Sequence, residues 1–576
     1  MKKTAVFDVR RPVHEDLGSL AKREKWDKVY AVTPLAAWLL ERAGVSFDAG
    51  TDLFDPSWFR EQGMLDFPRG EEALDEAFGA EAAEWHGWLY AYKRIVDYAL
   101  CEELRWKALS KLDARVFSDV PHGNRLSDDA FLHLYNEAAL YFNAVPAASH
   151  AHLTRVRAGA VGRRSRAFAR KSLAWLRRQA ARLPSKGPAV VSSFAYDWAA
   201  HKDRFAGWRA YSVNELAASF APKGEDRERA GADAASLSRA LEKRLAPALL
   251  LSWRAAEPLL RRQAEAYGAL RLSIKRELPG LVRRRGIKGA VSVMCGDYED
   301  YLVNHFLKAQ GLPTMFFQHG GFQAEPPWLY YGQKLPATVS LVYGSNDERF
   351  MSREKRGGKL VVAGSSALRA LSPREPGPGR FLYVLNNNVG NATIVEGERT
   401  RALPDMSALF RRHRRVIELF ARFPKARLTL REHPGQKTWC LYEPLTEAAE
   451  AARAANVQPF DETKSADEYF SGYDAVVIDY ACTGLLQALA KKQNVICFTG
   501  EPYAMGAEHD ALLRKAAVVA EDDDALLEKL EDILESGFPK LGEAGRREYL
   551  AAYGFSDETS GAAAAALDQA FFKTTT

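Results

Sequence analysis

The segment MFFQHGGFQAE at 315–325 ends an apolar run in Gln318, His319, Gly320 and Gly321, so a buried strand is expected to deliver an imidazole and two unhindered backbone amides to one point. A histidine there can hydrogen-bond a phosphate or act on a sugar hydroxyl, and glycine amides can approach an anion closely. Two further segments repeat the pattern. LTLREHPG at 428–435 and VVIDYACTGLLQAL at 476–489 each set polar or small residues directly after a short aliphatic or β-branched run. Ligand sites of open α/β sheets lie outside the carboxyl ends of the strands, so three such strand ends point to one crevice and to an enzyme acting on a phosphorylated, nucleotide-linked substrate.

Arg431 and His433 flank Glu432, and Pro434 fixes the turn that presents them; a guanidinium fork and an imidazole donor match a diphosphate or phosphodiester. The plainer role for either cation is a local ion pair with Glu432. Thr483 and Gly484 open a helix after the strand ending at Asp479, where unpaired amides and the helix dipole attract an anion; the plainer role is an N-cap. The loop NNNVGNAT at 386–393 offers Asn387 and Asn388 to a donor phosphate or ribose, but it lacks the lysine of a triphosphate clamp. If a neutral hydroxyl attacks an anomeric carbon, a general base is needed, and the candidates are Asp297 and Glu299 in GDYED, then His319, with Asp8 and Glu325 behind them. Cys482 has no neighbouring base and reads as packing. The chain has no G-x-S-x-G elbow, no P-loop, no early G-x-G-x-x-G and no compact metal-binding motif, which argues against hydrolase, kinase and dehydrogenase chemistry. The expected reaction uses neither metal nor cofactor, its leaving group being stabilised by cations and amides.

These residues need strands to carry them. TAVFDV (4–9), KVYAVT (28–33) and the helix PLAAWLLERAG open an α/β unit, PAVVSSFAY (188–196) returns the chain to a sheet, and GAVSVMC, a helix through DYLVNHFLKAQG, and TMFFQ continue it. From about 341 the alternation becomes regular: SLVYG, KLVVAGSS, RFLYVLNN, a helix near 405–422, LTLREH, VQPF, AVVIDY, a helix at 484–490 and NVICFTG. The Pro- and Gly-rich LSPREPGPGR at 371–380 belongs after the domain crossover, and GAAAAAL at 561–567 reads as a terminal helix. The expected fold is α/β, two Rossmann-like lobes facing a cleft. Residues 1–340 would form the acceptor-side lobe with helical insertions about 145–185 and 212–285, residues 341–540 the nucleotide-donor lobe, and 541–576 a C-terminal helical segment.

The 576 residues exceed what one core organises, and the 47% apolar and 27% charged fractions are those of an ordinary globular chain. Five scattered cysteines (Cys101, Cys295, Cys440, Cys482, Cys497) suggest reduced thiols. The five-residue apolar run near the start is too short for a secretory signal, and no stretch approaches 18 uncharged apolar residues. A cytoplasmic location is expected. The net charge of +6 is concentrated in two basic runs, Arg155 to Arg182 and Arg271 to Lys288. Such helices suit an anionic membrane surface, at the inner face of the cell membrane, or else form solvated faces; no nucleic-acid recognition signature accompanies them.

QHGG at 318–321, REHPG at 431–435 and DYACTGLLQAL at 479–489 together resemble the two-lobed, GT-B-like glycosyltransferases of surface-polysaccharide synthesis. More narrowly they are similar to capsule-type transferases using CMP-linked 3-deoxy-manno-octulosonic acid (Kdo) and to CDP-glycerol glycerophosphotransferases. The likeness covers roughly 289–510. It implies a nucleotide-activated sugar donor in the second lobe, at Arg431, His433, Pro434, Thr483 and Gly484, and a glycan or lipid-linked glycan acceptor against the first, with His319 facing the donor. Two departures favour sugar transfer over glycerophosphate transfer: Ala481-Cys482-Thr483 replaces a serine-rich turn, and the HG element is preceded by Gln318 rather than tryptophan. The implied activity is an inverting, metal-independent transfer from a cytidine-nucleotide donor, CMP-Kdo or a related acidic sugar. The alternatives are a CDP-glycerol glycerophosphotransferase and a non-catalytic glycan-binding or assembly factor.

Overall fold

The computed structural model describes residues 3–8, 21–22, 24–31, 34–48, 56–89, 92–93, 95–96, 99–100, 103, 114–118, 187–192, 200–217, 219–250, 252–293, 298–318, 320–321, 330–373, 377–385, 394–396, 399–401, 403–431, 454–459, 470–500 and 506–573. Their strands form two six-stranded parallel sheets, a three-stranded sheet and a hairpin. The α/β, GT-B-like arrangement of two Rossmann-like lobes with a helical insertion is borne out.

The opening strands make a unit of their own. Strands β1 (Thr4–Asp8), β2 (Lys28–Ala31) and β3 (Ala114–Ser118) pair in parallel in the order β2-β1-β3. Helix α1 (Pro34–Arg42) begins on a proline whose missing N–H would be unbonded there anyway, and Gly44 at φ +65° releases the chain after it. Ala5, Phe7, Ala31, Ala36, Ala37 and Leu40 are the core of this unit.

The first large sheet contains β4 (Ala189–Ser192), β5 (Arg209–Tyr211), β6 (Ile287–Ser292), β7 (Thr314–Phe317), β8 (Val339–Val342) and β9 (Lys359–Val362), in the order β5-β4-β6-β7-β8-β9. All four residues of β7 are buried, as a central parallel strand covered on both faces requires. Ala189 and Val191 face the core shared with α2 (Pro56–Phe78), α3 (Gly224–Leu245), α4 (Trp253–Arg285) and α5 (Tyr298–Ala309), whereas Val190, Val291, Met315 and Phe317 face the other side. The helices expected at 212–285 are present as the α3–α4 hairpin; the segment 145–185 lies outside the described residues. Much of the second basic run is used inside the molecule. Arg271 is buried against Trp85 and bonded to Glu81, Glu84 and Asp233, and Arg285 is buried beside Tyr211; Lys275 and Arg276 are exposed but paired with Glu84 and Asp226, and Arg283 and Arg284 are exposed as well.

After the short helix α6 (Ser345–Met351) and β9, the chain crosses to the second sheet at the Pro- and Gly-rich segment. SLVYG and KLVVAGSS therefore lie in the first sheet, as β8 and β9, and the second sheet starts at β10 (Arg380–Val384). A hairpin, β11 (Ile394–Glu396) and β12 (Arg399–Arg401), precedes α7 (Leu403–Ala421), followed by β13 (Arg427–Arg431), β14 (Val457–Pro459), β15 (Ala475–Ile478), α8 (Thr483–Ala490), β16 (Asn494–Phe498), α9 (Ala507–Ala516), β17 (Val518–Ala520) and α10 (Asp523–Ser536). The sheet order is β14-β13-β10-β15-β16-β17. Two terminal helices return the chain toward the first lobe: α11 (Glu543–Tyr553) packs on α6, α8 and α9, and α12 (Ala562–Leu567) puts Ala563 and Leu567 on the outer face of the first sheet.

The N-terminal unit docks on the second lobe through α1 and α7. Glu41 lies 3.5 Å from Arg414, and burial raises the Glu41 carboxyl despite that guanidinium. At the junction of α6 and α11, a Cβ added to Gly344 would lie 1.9 Å from the backbone oxygen of Ala552. Gly344→Ala is expected to destabilise the protein by about 1–3 kcal/mol, since backbone on both sides leaves nowhere to yield. A calorimetric melting point within a degree of wild type would refute it.

Candidate functional site

Counted along the chain, the strands of the second sheet run 3-2-1-4-5-6, the order of a dinucleotide-binding fold. The order reverses between β10 and β15, and in such sheets the crevice outside the carboxyl ends of the two strands at the reversal holds the ligand. At this point Val384 pairs with Arg431 on one side and Ile478 on the other. The amide of Leu385 donates to the carbonyl of Arg431 at 3.0 Å, and that of Asp479 to Val384 at 3.4 Å. Arg431, the start of the loop after Leu385 and the turn 479–483 thus come from three adjacent strand ends. Thr483 and Gly484 open α8 directly behind that turn, with Cys482 extended at its N-cap. Gly484 is buried and Thr483 half-buried.

The first sheet reverses between β4 and β6, following the order 2-1-3-4-5-6. Glu299 occupies the first turn of α5, just beyond β6, and is half-buried. Gln318 follows β7, the strand beside β6. Its side-chain oxygen accepts from the amide of Tyr343 at 2.8 Å, and its nitrogen donates to the carbonyl of Gly320 at 3.1 Å. Both ends of the amide thereby hold the turn in place. Gly320 has φ +70°, a conformation that favours glycine. The amide of Gly321 crosses to the second lobe and donates to the hydroxyl oxygen of Thr483 at 3.0 Å. Gln318, Gly320, Gly321, Thr483 and Gly484 are therefore brought together. Asp297, His319, Asn387, Asn388, His433 and Pro434 lie outside the described residues.

A network not anticipated from the sequence lies beneath the turn. Asp479 is fully buried; its carboxylate accepts from the hydroxyl of Tyr383 at 2.6 Å and from Nε2 of His413 at 2.5 Å. Burial, reinforced by Asp479, pushes the Tyr383 phenol well above its ordinary range, so it stays a donor. Arg412 lies over the Phe498 ring and bonds Asp523 at the start of α10. Burial opposes its charge, but Asp479 and Asp523 outweigh burial and raise its pKa. The signal was present in α7: Leu409, Arg412, His413, Val416, Ile417 and Phe420 are all buried at helical spacing, so an arginine and a histidine occupy an otherwise apolar stripe. Among the described residues no group of three His, Cys, Asp or Glu side chains converges as a metal cage, and no helix is long and apolar enough to cross a membrane.

No protein-family model matches the chain, and no curated protein does. Solved structures similar to it include MurG of Acinetobacter baumannii, 13% identical over 53% of this chain and 78% of that one, with a TM-score of 0.30. The UDP-GlcNAc 2-epimerase of Methanocaldococcus jannaschii, in complex with UDP-GlcNAc and UDP, is 10% identical over 63% and 97%, with a TM-score of 0.33. The spinosyn rhamnosyltransferase SpnG, complexed with thymidine diphosphate, is 11% identical over 63% and 95%, with a TM-score of 0.31. The sheet topology defines the fold; these likenesses add no detail about a reaction.

Proposed function

We propose that the protein is a glycosyltransferase that moves a sugar from a nucleotide-activated donor, held at the strand ends of the second lobe, to a hydroxyl of a glycan or lipid-linked glycan held against the first. The observation that carries this reading is the reversal between β10 and β15, which gathers Arg431 and the 479–484 turn beside the Gly320–Gly321 turn of the other lobe. In this mechanism Asp297 or Glu299 takes the proton of the acceptor hydroxyl as its oxygen attacks the anomeric carbon. The bond to the departing phosphate oxygen breaks on the opposite face, giving inversion. Arg431, His433 and the amides at the start of α8 hold the growing negative charge, as fixed donors aimed at a leaving group do. The motif resemblance favours a cytidine nucleotide, with CMP-Kdo or a related acidic sugar as donor, and a cytoplasmic site of action near the membrane.

A calorimetric binding screen of CMP, CDP, UDP, GDP and ADP tests the donor site. Cytidine nucleotides are expected to bind selectively, and Arg431→Ala to weaken that binding by about 10–100-fold, the worth of a charge-assisted hydrogen bond. Selective binding of another base discards the cytidine donor, and no binding by wild type discards the transferase reading. With CMP-Kdo or CDP-glycerol as substrate, an acceptor that gains a sugar supports this reading, and one that gains a phosphodiester supports glycerophosphate transfer.

A further inference from the structure

Thr483 has been treated above as a donor-site residue, yet the partner it has in this structure belongs to the other lobe. Its hydroxyl oxygen accepts the Gly321 N–H at 3.0 Å, across 162 residues of sequence. The turn it meets is tightly fixed. The amide of Gln318 continues the β7–β8 pairing by donating to Leu341 at 2.9 Å, and its side chain is tied to both Tyr343 and Gly320. The approach is also close: a Cβ on Gly320 would lie 2.3 Å from Oγ1 of Thr483. On the other side, Thr483 is held by a helix whose preceding turn is anchored through Asp479 to Tyr383 and His413.

A threonine hydroxyl can accept and donate at once. Its oxygen is taken by Gly321 and no described residue accepts its hydrogen, which can go to an acceptor in the crevice; a donor whose own hydrogen is engaged polarises the oxygen that receives the amide. We infer that Thr483 is the positioning residue that couples the lobes: its oxygen holds the Gly320–Gly321 turn of the first lobe while its hydrogen goes to a phosphate oxygen of the nucleotide in the second. Nucleotide binding and the interlobe contact then strengthen one another, and by linkage each favours the other to the same degree. The inference rests on the donor-site reading above. It adds that the nucleotide sets the separation of donor and acceptor sites through one hydroxyl, so the reacting groups are registered only when the donor is bound.

Hydrogen exchange at the Gly321 amide, with CMP or UDP as the nucleotide, tests it on the full chain. Wild type and Thr483→Ser are expected to show slower exchange at Gly321 once nucleotide is bound. Thr483→Val, of nearly the same shape but without the hydroxyl, should bind about tenfold more weakly, the worth of one hydrogen bond to a charged group, and exchange fast at Gly321 with or without nucleotide. Gly320→Ala should open the contact by wedging against Oγ1, and adding Thr483→Ala should relieve the wedge without restoring the slowing. That pair keeps the test decisive if Thr483→Val folds poorly. Wild-type binding that leaves Gly321 exchange unchanged or speeds it overturns the coupling and leaves the donor site standing, as does wild-type affinity in folded Thr483→Val. No binding of either nucleotide by wild type removes the donor site and the coupling together.

Discussion

Replacing His413 with leucine is expected to cost the second lobe about 3 kcal/mol or more, the penalty of taking a hydrogen-bond partner from a buried carboxylate, which exceeds that for a neutral group. Asp479 has no exposed surface, and it would lose the imidazole at 2.5 Å while keeping the Tyr383 hydroxyl at 2.6 Å. Such a carboxylate can neither reach water nor keep its charge cheaply. Differential scanning calorimetry should show the melting point lowered by about 10 °C or more in a lobe of this size. Tyr383→Phe removes a neutral donor and should cost less, about 1–3 kcal/mol. The double replacement His413→Leu with Asp479→Leu removes both members of this contact but also takes the carboxylate from the Tyr383 hydroxyl and from the buried Arg412 charge, so it should recover only part of the loss. A loss below about 1 kcal/mol for His413→Leu alone would show that the pair does not hold the 479–483 turn.

That network also shows what the sequence could and could not disclose. The segment RFLYVLNN was legible as a strand and 405–422 as a helix, because β-branched runs and 3.6-residue spacing reflect local burial. The partnership of His413 with Asp479 depends on two elements 66 residues apart, and only the polar interruption of the Leu409–Phe420 stripe hinted at it. The strands at SLVYG and KLVVAGSS were recognised as strands, but a buried parallel strand reads alike in either of two sheets. Their membership of the first sheet is settled by pairing Met315 with Val339 and Val339 with Lys359. Charge was similarly ambiguous. Arg271, Lys275 and Arg276 look like a cationic surface until Glu81, Glu84, Asp226 and Asp233 arrive from other helices and the 3₁₀ segment Gly79–Trp88. Conversely, the strand-end clustering of Arg431, Thr483 and Gly484 needed only the order of elements, since parallel strands joined by helices put all their carboxyl ends on one edge.

Acidification is expected to destabilise the first lobe between pH 6.5 and about 4, well before most carboxylates titrate. His86 and His305 both have their pKa lowered from 6.5 to about 4, in each case chiefly by burial. Around His86, Arg356 and His305 oppose a further positive charge and Glu354 favours it; Glu71 is 3.7 Å away but already binds Arg356. Around His305, Glu84 favours protonation while Lys308 and Lys275 oppose it, and the ring packs between Tyr301 and Phe306. The unfolded chain takes up these protons near pH 6.5 and the folded one only near 4, so falling pH through that window favours unfolding. The stability is fully present above pH 6.5, declines as pH falls, and levels off below about 4 as far as these two groups are concerned. One pKa unit corresponds to about 1.4 kcal/mol, so His86 contributes a loss of about 3 kcal/mol at most, and half-buried His305 a smaller one after allowance for solvent. Urea unfolding at steps from pH 7.5 to 4 should resolve this slope. His86→Phe with His305→Phe should flatten it, because neither ring then takes up a proton, whereas an unchanged slope in that folded double variant would assign the acid sensitivity to carboxylates instead.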